Sequence, residues 1–299
     1  MFILPRIKEG IPMFLILHNP LSSNMRSRHK TKKIVRYFKK NNLLFIIRSS
    51  LKINDLNAYL AKHPDITDIL LLGGDGSINY FINSIETDQL SQNIYLAKSG
   101  SGNDFLRTLK PLKKANVTIG NAKTNHNTHI RFINGCGLGF DALVCYYVDN
   151  DFKKNKISYF LNVFRAIIHY KPQTFTVIVD GKEKVYHNTF FAAVQNGRFF
   201  GGGMKATPDA NIEDDQFDVL IIHNIKKWML QVLMISIYFG WHKHLKKYVD
   251  IIKGKDIIIQ TEKPSYFQFD GEVASEITEI HINAHSKRVF HAFHKQSLK

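Results

Sequence analysis

Residues 69–79 read Ile-Leu-Leu-Leu-Gly-Gly-Asp-Gly-Ser-Ile-Asn. The apolar run 69–72 predicts a short buried strand. Gly73, Gly74 and Gly76 around Asp75 predict a sharp turn, and Ser77 predicts the start of a helix over 77–85. Glycines lack a Cβ, so the backbone can approach a bound group and successive N–H groups can point at a phosphate. A helix start adds partial positive charge at the same place. Asp75 has the chemistry to face a metal or a nucleotide. Taken alone, the stretch is equally a tight strand-to-helix turn. It fits neither GxGxxG nor GxxxxGK[ST], and the latter occurs nowhere in the chain.

Working outward, a second turn has the same logic. Ser99-Gly100-Ser101-Gly102-Asn103-Asp104 follows an apolar run at 94–97 and opens a helix over 103–109. Two glycine-rich strand-to-helix turns in one sheet would lie side by side, which favours a phosphate cradle over an ordinary turn. Nearer the start, His18-Asn19-Pro20-Leu21-Ser22-Ser23 follows a strand at 14–17. A helix over 25–40, a strand at 43–47 and a helix over 55–62 with Asn54 as N-cap complete the pattern. Strand and helix in turn predict an α/β unit with a parallel sheet and helices on both faces. Ligands then bind beyond the carboxyl ends of the strands.

After about residue 121 the texture changes. Strands are predicted at 129–132, 174–179, 189–194, 219–222, 256–261, 266–269 and 279–284, with Gly, Asn, Asp and Lys turns between them. Helices are predicted over 158–169 and 226–240. This is the pattern of an antiparallel, sandwich-like β domain. The 299 residues suffice for two such domains, and 44% apolar content suffices for their cores. Lys and Arg number 41 against 25 Asp and Glu, a net +16 that favours anionic partners. Two cysteines, Cys136 and Cys145, exclude a disulfide scaffold, and their spacing is not that of a zinc site. The opening Met1–Leu4 run is too short for a signal peptide, and the longest apolar stretch, 229–239, is too short to span a bilayer. Residues 1–10 read as an extension, with Met13 an alternative start.

Taken in order, GGDGS, SGSGNDF, Asn134-Gly135-Cys136-Gly137-Leu138-Gly139-Phe140-Asp141, Gly201-Gly202-Gly203, Pro208-Asp209-Ala210 and Phe269-Asp270-Gly271-Glu272 resemble the diacylglycerol-kinase-like lipid kinases, especially the bacterial soluble type. GGDG is shared with the nicotinamide-nucleotide kinases, whereas GNDF with the late DGE is more specific. The resemblance covers about residues 13–295. It implies an ATP-binding α/β domain at 11–121, to which 285–299 returns, and a lipid-binding β-sandwich at 122–284, with chemistry in the cleft between them. It implies transfer of the γ-phosphoryl of ATP, with Mg2+, to a hydroxyl of diacylglycerol or a related lipid.

Carried over residue by residue, the ATP contacts fall on Asn19, Pro20, Leu21, Ser22, Ser23, Ser50, Gly73, Gly74, Asp75, Gly76, Ser77, Ile78, Asn79, Ser101 and Asn103. Asp75 and Asp104 would shape a catalytic Mg2+ network. Asp214, with carbonyls of Asn211 and Gln216, would hold a structural Mg2+. Asp270 or Glu272 would be the general base, although Asp-Gly is also a strong hairpin signal. Ser77 and Ser101 stand where the family has Thr, which keeps the hydroxyl. Asp215 stands where it has Gly, which alters the acidic loop.

The helix over 25–40 carries Arg26, Arg28, Lys30, Lys32, Lys33, Arg36, Lys39 and Lys40. Such a run is a solvated face or a surface for anionic lipid. The stretch 226–247, bracketed by Trp228 and Trp241 with lysines outside, reads as a packed helix whose outer face suits a membrane interface. No nucleic-acid motif occurs. The expectation is a cytoplasmic protein with peripheral contact to anionic membrane; a homodimer is compatible with the sequence. The rival readings are a small-molecule or nicotinamide-nucleotide kinase and a non-catalytic lipid-binding protein. The aromatic residues Phe190, Phe191, Phe199 and Phe200 speak for an apolar substrate pocket.

Overall fold

The computed structural model describes residues 12–20, 26–53, 55–100, 102–151 and 156–293. The chain forms two compact units, one reaching Ala115 and resuming at Val289, the other spanning Asn116–Arg288. Both breaks fall inside strands.

In the first unit, β1 (Met13–His18), β2 (Leu44–Ser49), β3 (Asp68–Gly73) and β4 (Asn93–Lys98) are all parallel, in the order β2-β1-β3-β4. All six residues of β3 are buried, as a strand covered on both faces requires. Between the strands lie α1 (Arg26–Lys40), α2 (Leu56–Ala61) and α3 (Asp75–Ser84), and α4 (Asp104–Leu112) follows β4. The N-cap of α2 is Asp55, whose side chain accepts the Ala58 N–H, not Asn54. Phe14 on β1 meets Phe38 on α1 edge-to-face, with centroids 5.1 Å apart, at the centre of this core. The returning chain is the end of β13 (Glu272–Ala292): Phe290–Ala292 adds as a further parallel strand beside β4.

The second unit is antiparallel. Its strands are β5 (Lys114–Thr124), β6 (His129–Phe132), β7 (Gly135–Gly139), β8 (Gln173–Val179), β9 (Lys182–Gln195), β10 (Phe217–His223), β11 (Val249–Gly254), β12 (Ile257–Phe269) and most of β13. Its helices are α5 (Phe140–Asp149), α6 (Lys156–His169) and α7 (Lys227–Phe239). β9 and β12 each change partner along their length. Their outer halves both pair with β8, and their inner halves both pair with β7. The sheet thus folds over a core that includes Phe132, Phe175, Phe217 and Phe267. Phe132 packs over Gly120, where any Cβ would strike the ring, and meets Phe217 at 5.5 Å.

The two strands expected at 256–261 and 266–269 are one strand, β12, with its register shifted around Lys263-Pro264. Pro264 removes a ladder donor and a shift absorbs that loss. Strands β5, β7 and β11 and helix α5 were not anticipated. β7 is Gly-Cys-Gly-Leu-Gly, which lacks strand propensity and forms because both neighbours press closely on it. Phe190 and Phe191 are fully buried in the core under α5–α7, so they line no open pocket, contrary to the reading above. Phe132→Ala is expected to cost about 3–5 kcal/mol, measured as a shift of the urea midpoint at unchanged slope.

Candidate functional site

The strand order places a topological switch point in the first unit. From β1 the chain goes to β2 on one side, then crosses to β3 on the other. The carboxyl ends of β1 and β3 therefore face a crevice, the standard ligand position of open parallel sheets. Asn19 and Pro20 follow β1 at this edge. Ser50 follows β2, and its Oγ donates to the His18 carbonyl at 3.5 Å. Gly73–Asn79 follow β3, and Ser99–Asp104 follow β4. Parallel pairing alone brings these residues to one edge. Leu21, Ser22, Ser23 and Ser101 lie outside the described residues.

The two glycine turns touch backbone to backbone. A Cβ on Gly100 would lie 2.6 Å from Gly74 Cα, and one on Gly74 would strike the Gly102 carbonyl. The glycines at 74 and 100 are thus required by the mutual approach of the turns. Ser99 N–H donates to the Gly73 carbonyl at 2.9 Å, and Asp75 N–H to the Gly102 carbonyl at 3.2 Å. Asn103 is buried and its Nδ2 donates to the Gly100 carbonyl at 2.9 Å, which pins the second turn. Gly76 differs. It is exposed in the first turn of α3, and a Cβ there would meet nothing within 4 Å. Among the described residues no contact requires that glycine.

Several expected roles change. Helix α3 begins at Asp75, two residues earlier than predicted, so Asp75 and Gly76 belong to its first turn. The Asp75 carboxylate accepts the Asp104 N–H at 2.8 Å and the Phe105 N–H at 3.2 Å, capping α4 across the gap. Asp104 is buried and pairs with Arg107 at 3.2 Å. Both carboxylates thus have partners at the start of α4. Ile78 is a core residue, and its N–H, like that of Ser77, donates to the Gly74 carbonyl. Asn79 is buried, and its carbonyl accepts from Asn83. Lys30, read from sequence only as part of a basic run, extends its Nζ to the Ser99 carbonyl at 3.5 Å. It brings a positive charge to the second turn.

In the second unit, Asp270 and Gly271 form a two-residue turn between β12 and β13, with φ of 47° and 98°. Both values are positive, as a type I′ hairpin demands. The Asp270 carboxylate is turned onto a neighbouring loop. It accepts the N–H groups of Ile133, Asn134 and Gly135 at 2.8, 2.9 and 3.0 Å. Its own N–H donates to the Gly135 carbonyl at 2.8 Å. Asp270 therefore anchors that loop, whatever else it does. Glu272 is exposed.

Sequence reasoning quoted Asp141 within a motif and gave it no role. It sits in the first turn of α5, buried, with Gln268 donating to its Oδ2 at 3.1 Å. Burial raises its carboxyl to about 7, against the lowering effect of Gln268. The signal available in the sequence was an Asp directly after a Gly-x-Gly-x-Gly-Phe run.

In the acidic loop the side chains of the expected ligands Asn211 and Asp214 have partners within the chain. Asp214 Oδ1 accepts the Gln216 N–H at 3.1 Å, and its Oδ2 pairs with Lys253 at 3.0 Å. The Asn211 side-chain oxygen accepts the Glu213 N–H. Asp215, with φ of 58° at the position where the family has Gly, pairs with Lys287 at 2.8 Å. Burial raises Asp218 to about 6, while Lys253 at 3.9 Å opposes the rise. The acidic side chains of this loop thus pair with the ammonium groups of Lys253 and Lys287. Among the described residues no group of three His, Cys, Asp or Glu side chains gathers at a metal-binding spacing.

Paired glycine turns at one edge of a parallel sheet, followed by an antiparallel sandwich-like unit, are the arrangement to compare with known proteins. Residues 13–133 match the family described as the diacylglycerol kinase catalytic domain, and 135–285 match the YegS C-terminal NAD kinase beta sandwich-like domain. The chain belongs to the diacylglycerol-kinase-like lipid kinase family. It is 28% identical over 266 residues to the "Putative lipid kinase YtlR" of Bacillus subtilis (strain 168), covering 72% of this chain and 82% of that one. It is 25% identical over 236 residues to a "Putative lipid kinase" of Staphylococcus epidermidis (strain ATCC 12228 / FDA PCI 1200), covering 75% and 76%. A crystal structure titled as a putative diacylglycerol kinase from Bacillus anthracis str. Sterne superposes with a TM-score of 0.73 at 20% identity. It covers 96% of this chain and 99% of that one, a likeness of fold.

Asp141 predicts a pH signature. The unfolded chain loses this proton near 3.8 and the native one near 7. Between those values the native state binds more protons, so stability falls as pH rises through the window and levels off above it. Asp141→Asn removes this dependence. Its stability relative to the parent is expected to rise by up to about 4 kcal/mol from acid to neutral pH, read from urea unfolding at stepped pH.

Proposed function

We propose that the protein transfers the γ-phosphoryl group of ATP to a hydroxyl of diacylglycerol or a related lipid. The observation that carries this reading is Gly76. Gly76 lies in the first turn of α3, and among the described residues no neighbour would meet a Cβ there. Open space at a helix start, beside a second turn of the same kind, suits a phosphate chain. The N-termini of α3 and α4 and the Lys30 ammonium supply positive charge there. Asp75 holds the two turns in register, so the cradle is preorganised before any ligand arrives.

Phosphoryl transfer depends on positioning and charge stabilisation. Mg2+ bound to the triphosphate would supply charge neutralisation. Asp75, Asp104 and Asp214, the residues expected near such an ion, also hold N–H groups or cations of the chain itself. The acceptor hydroxyl has a high pKa, so a carboxylate takes its proton, and Asp270 and Glu272 are the candidates. Asp270 already holds three backbone N–H groups, and its replacement would disturb a loop as well as chemistry.

Purified protein with labelled ATP, Mg2+ and mixed lipid micelles is expected to put label into an organic-extractable product. Label confined to water-soluble products would instead favour a nicotinamide-nucleotide or other small-molecule kinase. Gly76→Ala is expected to raise the melting temperature slightly and weaken ATP binding by about tenfold or more. Unchanged ATP affinity would remove the phosphate reading of that turn. Glu272→Gln assigns the base: a loss in kcat of about 100-fold at unchanged stability places the role there, and unchanged kcat moves it to Asp270.

A further inference from the structure

Helix α7 carries two apolar stripes where a globular helix needs one. Leu230, Leu233 and Ile237 are buried against the second unit's core. Trp228, Val232, Ile235 and Phe239 follow spacings of four, three and four, which places them together on the opposite side. They are 66, 62, 63 and 56% exposed. The helix ends at Gly240, in the left-handed conformation at φ 75°, and the chain turns into Trp241. That ring is 63% exposed and stacks on Phe239 at 4.7 Å. Helix α6 packs beside α7, and the Lys227 ammonium donates to the Ile168 carbonyl at 2.7 Å. It presents a stripe of its own, with Leu161, Phe164 and Ile168 all exposed. Scattered exposed apolar residues are ordinary, whereas two adjoining stripes are a patch of the kind that marks an interaction surface.

Charge identifies the partner. Neither 156–173 nor 224–248 contains an Asp or Glu. Together they contain Lys156, Arg165 and Lys171, then Lys226, Lys227, Lys243, Lys246 and Lys247. The one acidic contact to these lysines among the described residues is Asp209 with Lys243. A second copy of so uniformly basic a surface would be repelled. An anionic surface that also accepts apolar side chains is complementary to it. At 13 residues, α7 is about 20 Å long, and no described helix is long and apolar enough to cross a membrane. The geometry is that of a helix lying in the headgroup layer, with tryptophans at its two ends.

We propose that α6, α7 and the following Trp241–Leu245 segment form a docking surface for an anionic lipid bilayer. This surface goes beyond the kinase reading and does not rest on it, because docking needs neither ATP nor turnover. The chain's only tryptophans, Trp228 and Trp241, both lie on the patch and report on it directly. The experiment mixes the full chain, without nucleotide, with phosphatidylcholine vesicles with and without phosphatidylglycerol. Expected are co-sedimentation and a blue-shifted tryptophan emission with the anionic vesicles only, both weakened by added salt.

The double variant Val232→Glu with Ile235→Glu, at two exposed positions, should bind about tenfold more weakly or worse with an unchanged melting temperature. Should that variant misfold, Lys246→Glu with Lys247→Glu gives the same readout from surface lysines alone. Parent protein that neither sediments nor shifts its emission overturns the proposal, as does undiminished binding by a folded variant. A dimer in solution that Val232→Glu with Ile235→Glu splits, with vesicle binding intact, would give this face to a second copy and overturn it as well.

Discussion

In the first unit two backbones approach so closely that neither has room for a Cβ. Gly74 and Gly100 leave no room for a side chain at either position, and the turns that carry them are cross-linked by the Ser99 and Asp75 N–H groups. This contact sets two helix starts side by side. Their positive ends would repel each other, since each carries unpaired N–H groups. The Asp75 carboxylate lies in the first turn of α3 and accepts two N–H groups of α4, so one negative charge serves both. With Asp75 in place the adjacent helix starts become a stable, cationic edge at the switch point of the sheet. Everything proposed about nucleotide binding depends on that arrangement.

The second unit repeats the device. Asp270, in a turn that only a left-handed backbone can make, reaches across to three N–H groups of the loop before β7. A carboxylate accepting several backbone N–H groups is a strong anchor because each bond is charge-assisted. Ion pairs do comparable work in the acidic loop, where Lys253 and Lys287 offset Asp214 and Asp215. Asp141 is the exception, being buried with only neutral donors and held toward its protonated form. It stands as a weak point in stability at neutral pH.

Helix α7 shows how a fold can leave an element half-satisfied. Its inner stripe belongs to the core beneath α5–α7 and its outer stripe to solvent. Because apolar residues occupy both sides, the helix has little contrast between faces, and sequence periodicity alone does not say which residues face outward. Only the observation that one side lies against the sheet separates core from surface.

Much of the architecture was legible in the residues. Apolar runs such as 69–72, each followed by a turn and a helix, required a parallel α/β unit, because local propensity and hydrophobic period agree there. The hairpin at Asp270-Gly271 was readable for the same reason, since Asp-Gly meets the backbone demands of its turn. The glycine-built strand β7 was not, because its pairing comes from neighbours distant in sequence. Nor could sequence separate the duties of a carboxylate: Asp75 and Asp270 have the chemistry of a metal ligand or a base, and equally that of a cap. The partners each one holds depend on the N–H groups within reach, which are Asp104 and Phe105 in one case and Ile133–Gly135 in the other. Residue type determined what each group was able to do. Distance, set only by the packed chain, decided what it does.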